Sequence, residues 1–126
     1  MRIEVLKILD PAQGLVFFSS DFGSASGRWM EPGVGTREFD VELDLPVVEE
    51  WAAAAGEPAL VGAEAGFDVW IRCQVERVHG GVDTCVVVRT GPNLTFVEIV
   101  HRRAELVEGG LISFRVPEIR LYPYTL

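Results

Sequence analysis

Thr36-Arg37-Glu38-Phe39-Asp40-Val41-Glu42-Leu43-Asp44-Leu45 is the stretch that decides the fold class. Phe39, Val41, Leu43 and Leu45 fall on one side of an extended chain and Glu38, Asp40, Glu42 and Asp44 on the other. That is the period-two pattern of a strand with one buried and one wet face.

Working outward, the same period recurs along most of the chain. Residues 2–9 predict a strand, the Asp10-Pro11-Ala12-Gln13-Gly14 run a turn, and 15–20 a second strand, together a hairpin. The glycine- and serine-rich run 21–35 reads as a long loop with one short strand at Gly27 to Met30. Further on, 67–78, 82–90 and 94–101 read as a meander turning at Gly80-Gly81 and Gly91-Pro92-Asn93. A last strand is split by Pro117 into 111–116 and 118–122. Residues 46–56 predict one short helix: Asp44 as cap, Pro46 in its first turn, Ala52 to Ala55 propagating it and Gly56 ending it, with Val47, Trp51 and Ala55 on its packed stripe. The sum is an all-β, mostly antiparallel single domain over residues 1–126. It is expected as a small barrel, OB-like in element order because of that helix, or as a two-sheet sandwich.

The chain has 126 residues, 48% of them apolar and 24% charged, enough to build a core without disorder or a membrane span. Its N-terminus alternates charge with aliphatics and lacks the apolar run of a signal peptide, so the expected compartment is the cytoplasm. A tight Gly80-Gly81 turn would set residue i opposite residue 161 minus i. Cys73 and Cys85 would then point to opposite faces and form no disulfide. Their spacing also fits neither a CxxC redox pair nor a zinc quartet.

The net charge of −8 disfavours nucleic acid as the main partner, because phosphate contacts supply most of that affinity. The charge is also concentrated. Glu38, Asp40, Glu42, Asp44, Glu49 and Glu50 fall within 38–50, a segment with no base, while the rest of the chain is nearly balanced. Same-face carboxylates on a strand stand about 6.6 Å apart, so they build a negative stripe that would speed encounter with a basic surface.

No catalytic motif accompanies it. Gly23-Ser24-Ala25-Ser26-Gly27 puts Ala25 where a nucleophile elbow needs serine, and His79 and His101 lack partners at ligand spacing. The expectation is therefore a non-enzymatic acidic module, without metal or cofactor, that binds a basic protein. Its most concrete form is a cytoplasmic inhibitor or immunity-type protein covering a basic site such as that of a toxin nuclease, steered by the six carboxylates and anchored by an exposed Trp29. Trp51, Trp70 and Phe96 are expected as packing residues. The alternative is an OB-like domain that holds oligosaccharide or single-stranded nucleic acid through Arg28, Trp29, Arg102 and Arg103.

Overall fold

Strand β1 (Arg2–Asp10) and strand β2 (Leu15–Ser20) form the expected hairpin, with the Asp10 carboxylate accepting the Ala12 N–H at 3.0 Å across the turn. The computed structural model describes residues 1–64 and 66–124. Strand β3 (Gly23–Trp29) continues the meander and is longer than the short strand expected at Gly27 to Met30. By composition alone glycine and serine there are loop residues. They serve instead to thin a strand: a Cβ on Gly27 would lie 3.0 Å from the Leu121 side chain and 3.3 Å from Ile119, so only a small residue fits against this core.

Strand β4 (Glu38–Asp44) pairs antiparallel with β1, and its alternation is as expected, with Val41 buried and Glu42 exposed. The barrel closes through the end of the chain. Beyond Pro117, β11 (Arg120–Tyr124) inserts between β3, to which it is parallel, and β4, to which it is antiparallel. The result is a closed five-strand barrel of order β1-β2-β3-β11-β4.

Between β4 and β11 the chain builds a second antiparallel sheet. Its strands are β5 (Ala52–Ala53), β6 (Ala59–Gly62), β7 (Val69–Val78), β8 (Cys85–Thr90), β9 (Asn93–Glu98) and β10 (Leu111–Val116). The central order is β5-β10-β7-β8-β9. β6 shares with β8 the edge of β7 that β10 does not occupy. Val69, Ile71, Cys73 and Val75 of β7 face inward and join Phe18, Val41 and Leu121 of the barrel in one hydrophobic cluster. The split of the last strand at Pro117 is thus a change of sheet.

The helix expected over 46–56 does not form. Val48 N–H donates to Glu98 O at 2.8 Å and bridges to Ile99, while Ala52–Ala53 pair with Ser113 and Ile112 of β10. A helix this short is marginal in isolation, and burial of Val48 and Trp51 with ladder bonds to two strands outweighs alanine propensity. The OB-like element order argued from that helix loses its basis with it. The only helical turn among the described residues is a 3-10 turn at Arg103–Glu105.

The register of β7 and β8 also differs from the tight-turn expectation. Val75 lies opposite Val88 and, past a bulge, Val78 lies opposite Val86, leaving residues 79–84 as a wider loop. The Arg103 guanidinium holds that loop open by donating to the carbonyls of Ile99 at 3.0 Å, His79 at 2.7 Å and Asp83 at 2.5 Å. Both cysteines are free and lie on opposite faces, as expected; burial pushes the Cys73 thiol up to about 12.

Two joints link barrel and sheet. At the first, Leu60 N–H donates to Phe22 O at 2.9 Å and Ser26 Oγ donates to Ala63 O at 2.9 Å, laying β6 along the part of β3 that β11 does not reach. Gly23 sits there with φ +132° and no space, since an added Cβ would fall 2.5 Å from Leu60 O. Gly23→Ala should therefore cost about 3 kcal/mol in urea denaturation. Gly33→Ala, at φ +82° with nothing within 4 Å of the added atom, should cost only about 1 kcal/mol from backbone strain.

Candidate partner-binding surface

The acidic stripe lies on the outer face of β4, but it is not bare. Arg2, on the neighbouring β1, reaches Asp40 at 3.1 Å and Glu38 at 3.3 Å, and Arg120, on β11, stands in register with Asp44. Two guanidiniums thus flank four carboxylates. Exposed pairs of this kind contribute little to stability, but they do dilute the field of the stripe. Among the described residues no ion pair reaches Glu42, Asp44, Glu49 or Glu50.

Trp29 is placed opposite to expectation. It is 6% exposed, inside the barrel mouth, with its ring 4.5 Å from Phe39 in an edge arrangement and its backbone N–H donating to Gly14 O at 2.7 Å. The loop assigned to it is a barrel strand, and inward positions of a small barrel must be filled. Trp29 is therefore buried, not presented on the surface as an anchor. Trp51 packs as expected: Nε1 donates to His101 O at 2.9 Å and the Arg102 guanidinium lies 4.4 Å over its ring.

Trp70 and Phe96 also differ from expectation. Trp70 is 57% exposed on the outer face of the second sheet and Phe96 is 68% exposed on β9. Trp70 lies on the face of β7 opposite Val69 and Ile71, and it is the face of Val69 and Ile71 that the barrel covers. Across three strands Trp70 lies in register with exposed Val61 of β6 and with Arg115 of β10, whose guanidinium is held by Asp68 at 3.2 Å. Beside this row runs a groove of about 830 Å³ lined by Trp70, Val47, Pro46, Pro117, Ala52 and Arg115, with Glu49 and Glu50 on its wall. The unpaired acids at the end of the stripe and the exposed tryptophan therefore share one surface, although they are far apart in sequence.

The alternative ligand residues do not converge. Arg28 bonds Glu118 through Nε at 3.2 Å and Nη2 at 3.1 Å, and Gln13 O at 3.1 Å. Arg102 donates to Trp51 O, and Arg103 is spent on the carbonyls of Ile99, His79 and Asp83 at the far end of the other sheet. Each guanidinium fastens the fold. Among the described residues no cluster of His, Cys, Asp and Glu could hold a metal ion, and no helix is long and apolar enough to cross a membrane.

Glu118, between the two sheets, is the clearest electrostatic pin. Partial burial pushes its carboxyl up, but hydrogen bonds from Arg28 and Arg120, with their charges, outweigh this and hold it below the usual carboxylate range. A depressed pKa contributes stability above the unfolded value near 4.3, and that contribution is lost as pH falls through the folded value. Glu118→Gln should cost about 1 kcal/mol at pH 7 in urea denaturation, and the difference from the parent should shrink below about pH 4. Trp29→Ala should cost about 3–5 kcal/mol, whereas Trp70→Ala should change stability by less than about 0.5 kcal/mol. No protein-family model, no curated protein and no solved structure matches this chain.

Proposed function

We propose that this protein is a non-catalytic acidic binding module that docks a basic protein on the outer face of its second sheet, in the manner of an inhibitor or immunity-type protein covering a basic site such as that of a nuclease toxin. The observation that carries the reading is Trp70, 57% exposed at a groove of about 830 Å³ with Glu49 and Glu50 on its wall. A large exposed aromatic supplies binding energy when a partner desolvates it, and unpaired carboxylates around it favour a cationic partner and speed encounter. Glu42 and Asp44, on the barrel, extend the negative field; Glu38 and Asp40, shared with Arg2, contribute less. Trp70 takes the anchoring role that the sequence suggested for Trp29.

The strand order β1-β2-β3-β11-β4, with β3 parallel to β11, supports an OB-like reading of the barrel. Such barrels bind oligonucleotides and sugars over strands β2 and β3. Here Ser26 is tied to the carbonyls of Ala63 and Glu64, Arg28 is paired, and Trp29 faces inward. These ties weigh against a nucleic-acid or sugar ligand on that face.

The test is affinity capture on immobilised protein from a lysate of its own host at low salt, with three variants in parallel: Trp70→Ala, Glu49→Lys/Glu50→Lys and Glu42→Lys/Asp44→Lys. A basic protein eluted by salt from the parent should be retained about a hundredfold less well by Trp70→Ala, through faster dissociation. It should associate about tenfold more slowly with the Glu49/Glu50 variant and less markedly so with the Glu42/Asp44 variant. Equal retention by all four proteins, or recovery of nucleic acid or glycan instead, would overturn the reading.

A further inference from the structure

The second joint between barrel and sheet is open where the first is closed, and it leaves a strand edge unpaired. β9 is the last strand of its sheet, paired only with β8. Ile99 N–H donates to Thr84 O at 3.1 Å on the β8 side, whereas Glu98 O accepts Val48 N–H at 2.8 Å on the other side. Backbone groups of successive strand residues point to alternate edges, so the N–H and C=O of Leu94 and Phe96 point away from β8, as those of Glu98 do. The facing edge of β4 is arranged likewise. Val41 exchanges backbone bonds with Met1 at 2.8 Å in both directions, so Leu43, two residues on, turns its N–H and C=O toward the same side, where no strand among the described residues pairs with it. Between the two edges lies a cleft of about 260 Å³ lined by Leu43, Glu42, Leu94, Phe96 and Tyr124.

Exposed edges of this kind are usually shortened, bulged, or protected by Lys or Pro. β5, at the other end of the sheet, is two residues long, whereas β9 pairs with β8 without a register shift and reads Asn93-Leu94-Thr95-Phe96-Val97-Glu98, with neither Lys nor Pro. Leu94 is 53% and Phe96 68% exposed on one face of it.

We propose that this edge is a strand-addition site for a short, extended, basic segment of another protein. The backbone of the segment would pair with Leu94 and Phe96, an apolar side chain would enter the cleft between Leu43 and Tyr124, and Lys or Arg would meet Glu42. Charge complementarity selects this occupant. Glu42 has no ion-pair partner within 4 Å among the described residues, its charge being felt only at longer range by the Met1 ammonium that lines the same cleft; Glu98 continues the exposed face of β9, and the chain carries −8, so a second copy would bring like charge to the same edge. Val48 at one end and the Gly91-Pro92 turn at the other limit the added strand to the span of β9. This surface is independent of Trp70.

The probe is the peptide acetyl-Lys-Val-Arg-Val-Lys-Val-Arg-amide, with amide hydrogen exchange of the parent protein as readout. Exchange at the Leu94 and Phe96 amides is expected to slow at least tenfold on saturation, with no change at Trp70, and Trp70→Ala should bind the peptide equally well. Of two analogues N-methylated at alternate residues, one should bind at least tenfold more weakly and the other normally. The counterpart with Glu and Asp in place of Lys and Arg should bind at least tenfold more weakly. Unchanged exchange at both amides, equal binding of both methylated analogues, or equal binding of the acidic counterpart would overturn the proposal. So would protection that rises with protein concentration in the absence of peptide, which would assign the edge to a second copy.

Discussion

The structure depends on β11 giving its two edges to different partners. Ile119 O and Leu121 O accept from Arg28 N–H at 2.9 Å and Met30 N–H at 3.1 Å on the β3 side, leaving the even residues to pair with β4. This alternation explains how Pro123 is tolerated inside a barrel strand. Its missing N–H falls on the β3 side, beyond the last residue that β3 offers, and opposite Val41 at a position that makes no ladder bond. Glu118, bonded to Arg28 and Arg120, fixes the point at which the chain leaves one sheet and enters the other. Without that crossing, β3 and β4 would both be bare edges and the inner face of the second sheet would have nothing to cover.

Because β11 is short, it leaves the far part of β3 to be covered from the second sheet, and β1 covers β4 only up to Val41. The two remaining gaps are treated differently. At β3 the chain closes the gap with small residues: Gly23 and Gly62 let backbones approach to distances that a Cβ would forbid. At β4 the closure is a single bridge at Val48, with a cleft between the two strands before it. One joint is rigid by packing; the other retains unpaired backbone groups beside exposed Leu94 and Phe96. That difference is why the proposed strand-addition site lies at β9.

Much of the strand pattern was legible because alternation is local. Glu38 to Leu45, the β1–β2 hairpin, the β8–β9 hairpin and the break at Pro117 can all be read from neighbours a few residues apart. The misread segments are those where local preference and long-range pairing disagree. Residues 46–56 carry helical propensity, yet Val48 and Trp51 are buried by contacts with β9 and with His101 and Arg102. Residues 23–29 carry loop composition, yet the crowding of Ile119 and Leu121 requires a thin strand. The Gly80-Gly81 turn looked tight, yet Arg103, distant in sequence, holds the loop open.

The amino-acid sequence by itself determined that the chain is all-β and that its excess negative charge gathers in 38–50. Each of these follows from composition or from a period-two pattern that needs no partner to be read. Tertiary structure alone decided which tryptophan is available, which acids are paired and which strand edge is open. The physical reason is that alternation defines two faces without saying which will be covered. Trp29 and Trp70 both sit on regular strands, and only the closure of the barrel around the first and the docking of the second sheet by its other face set one at 6% exposure and the other at 57%.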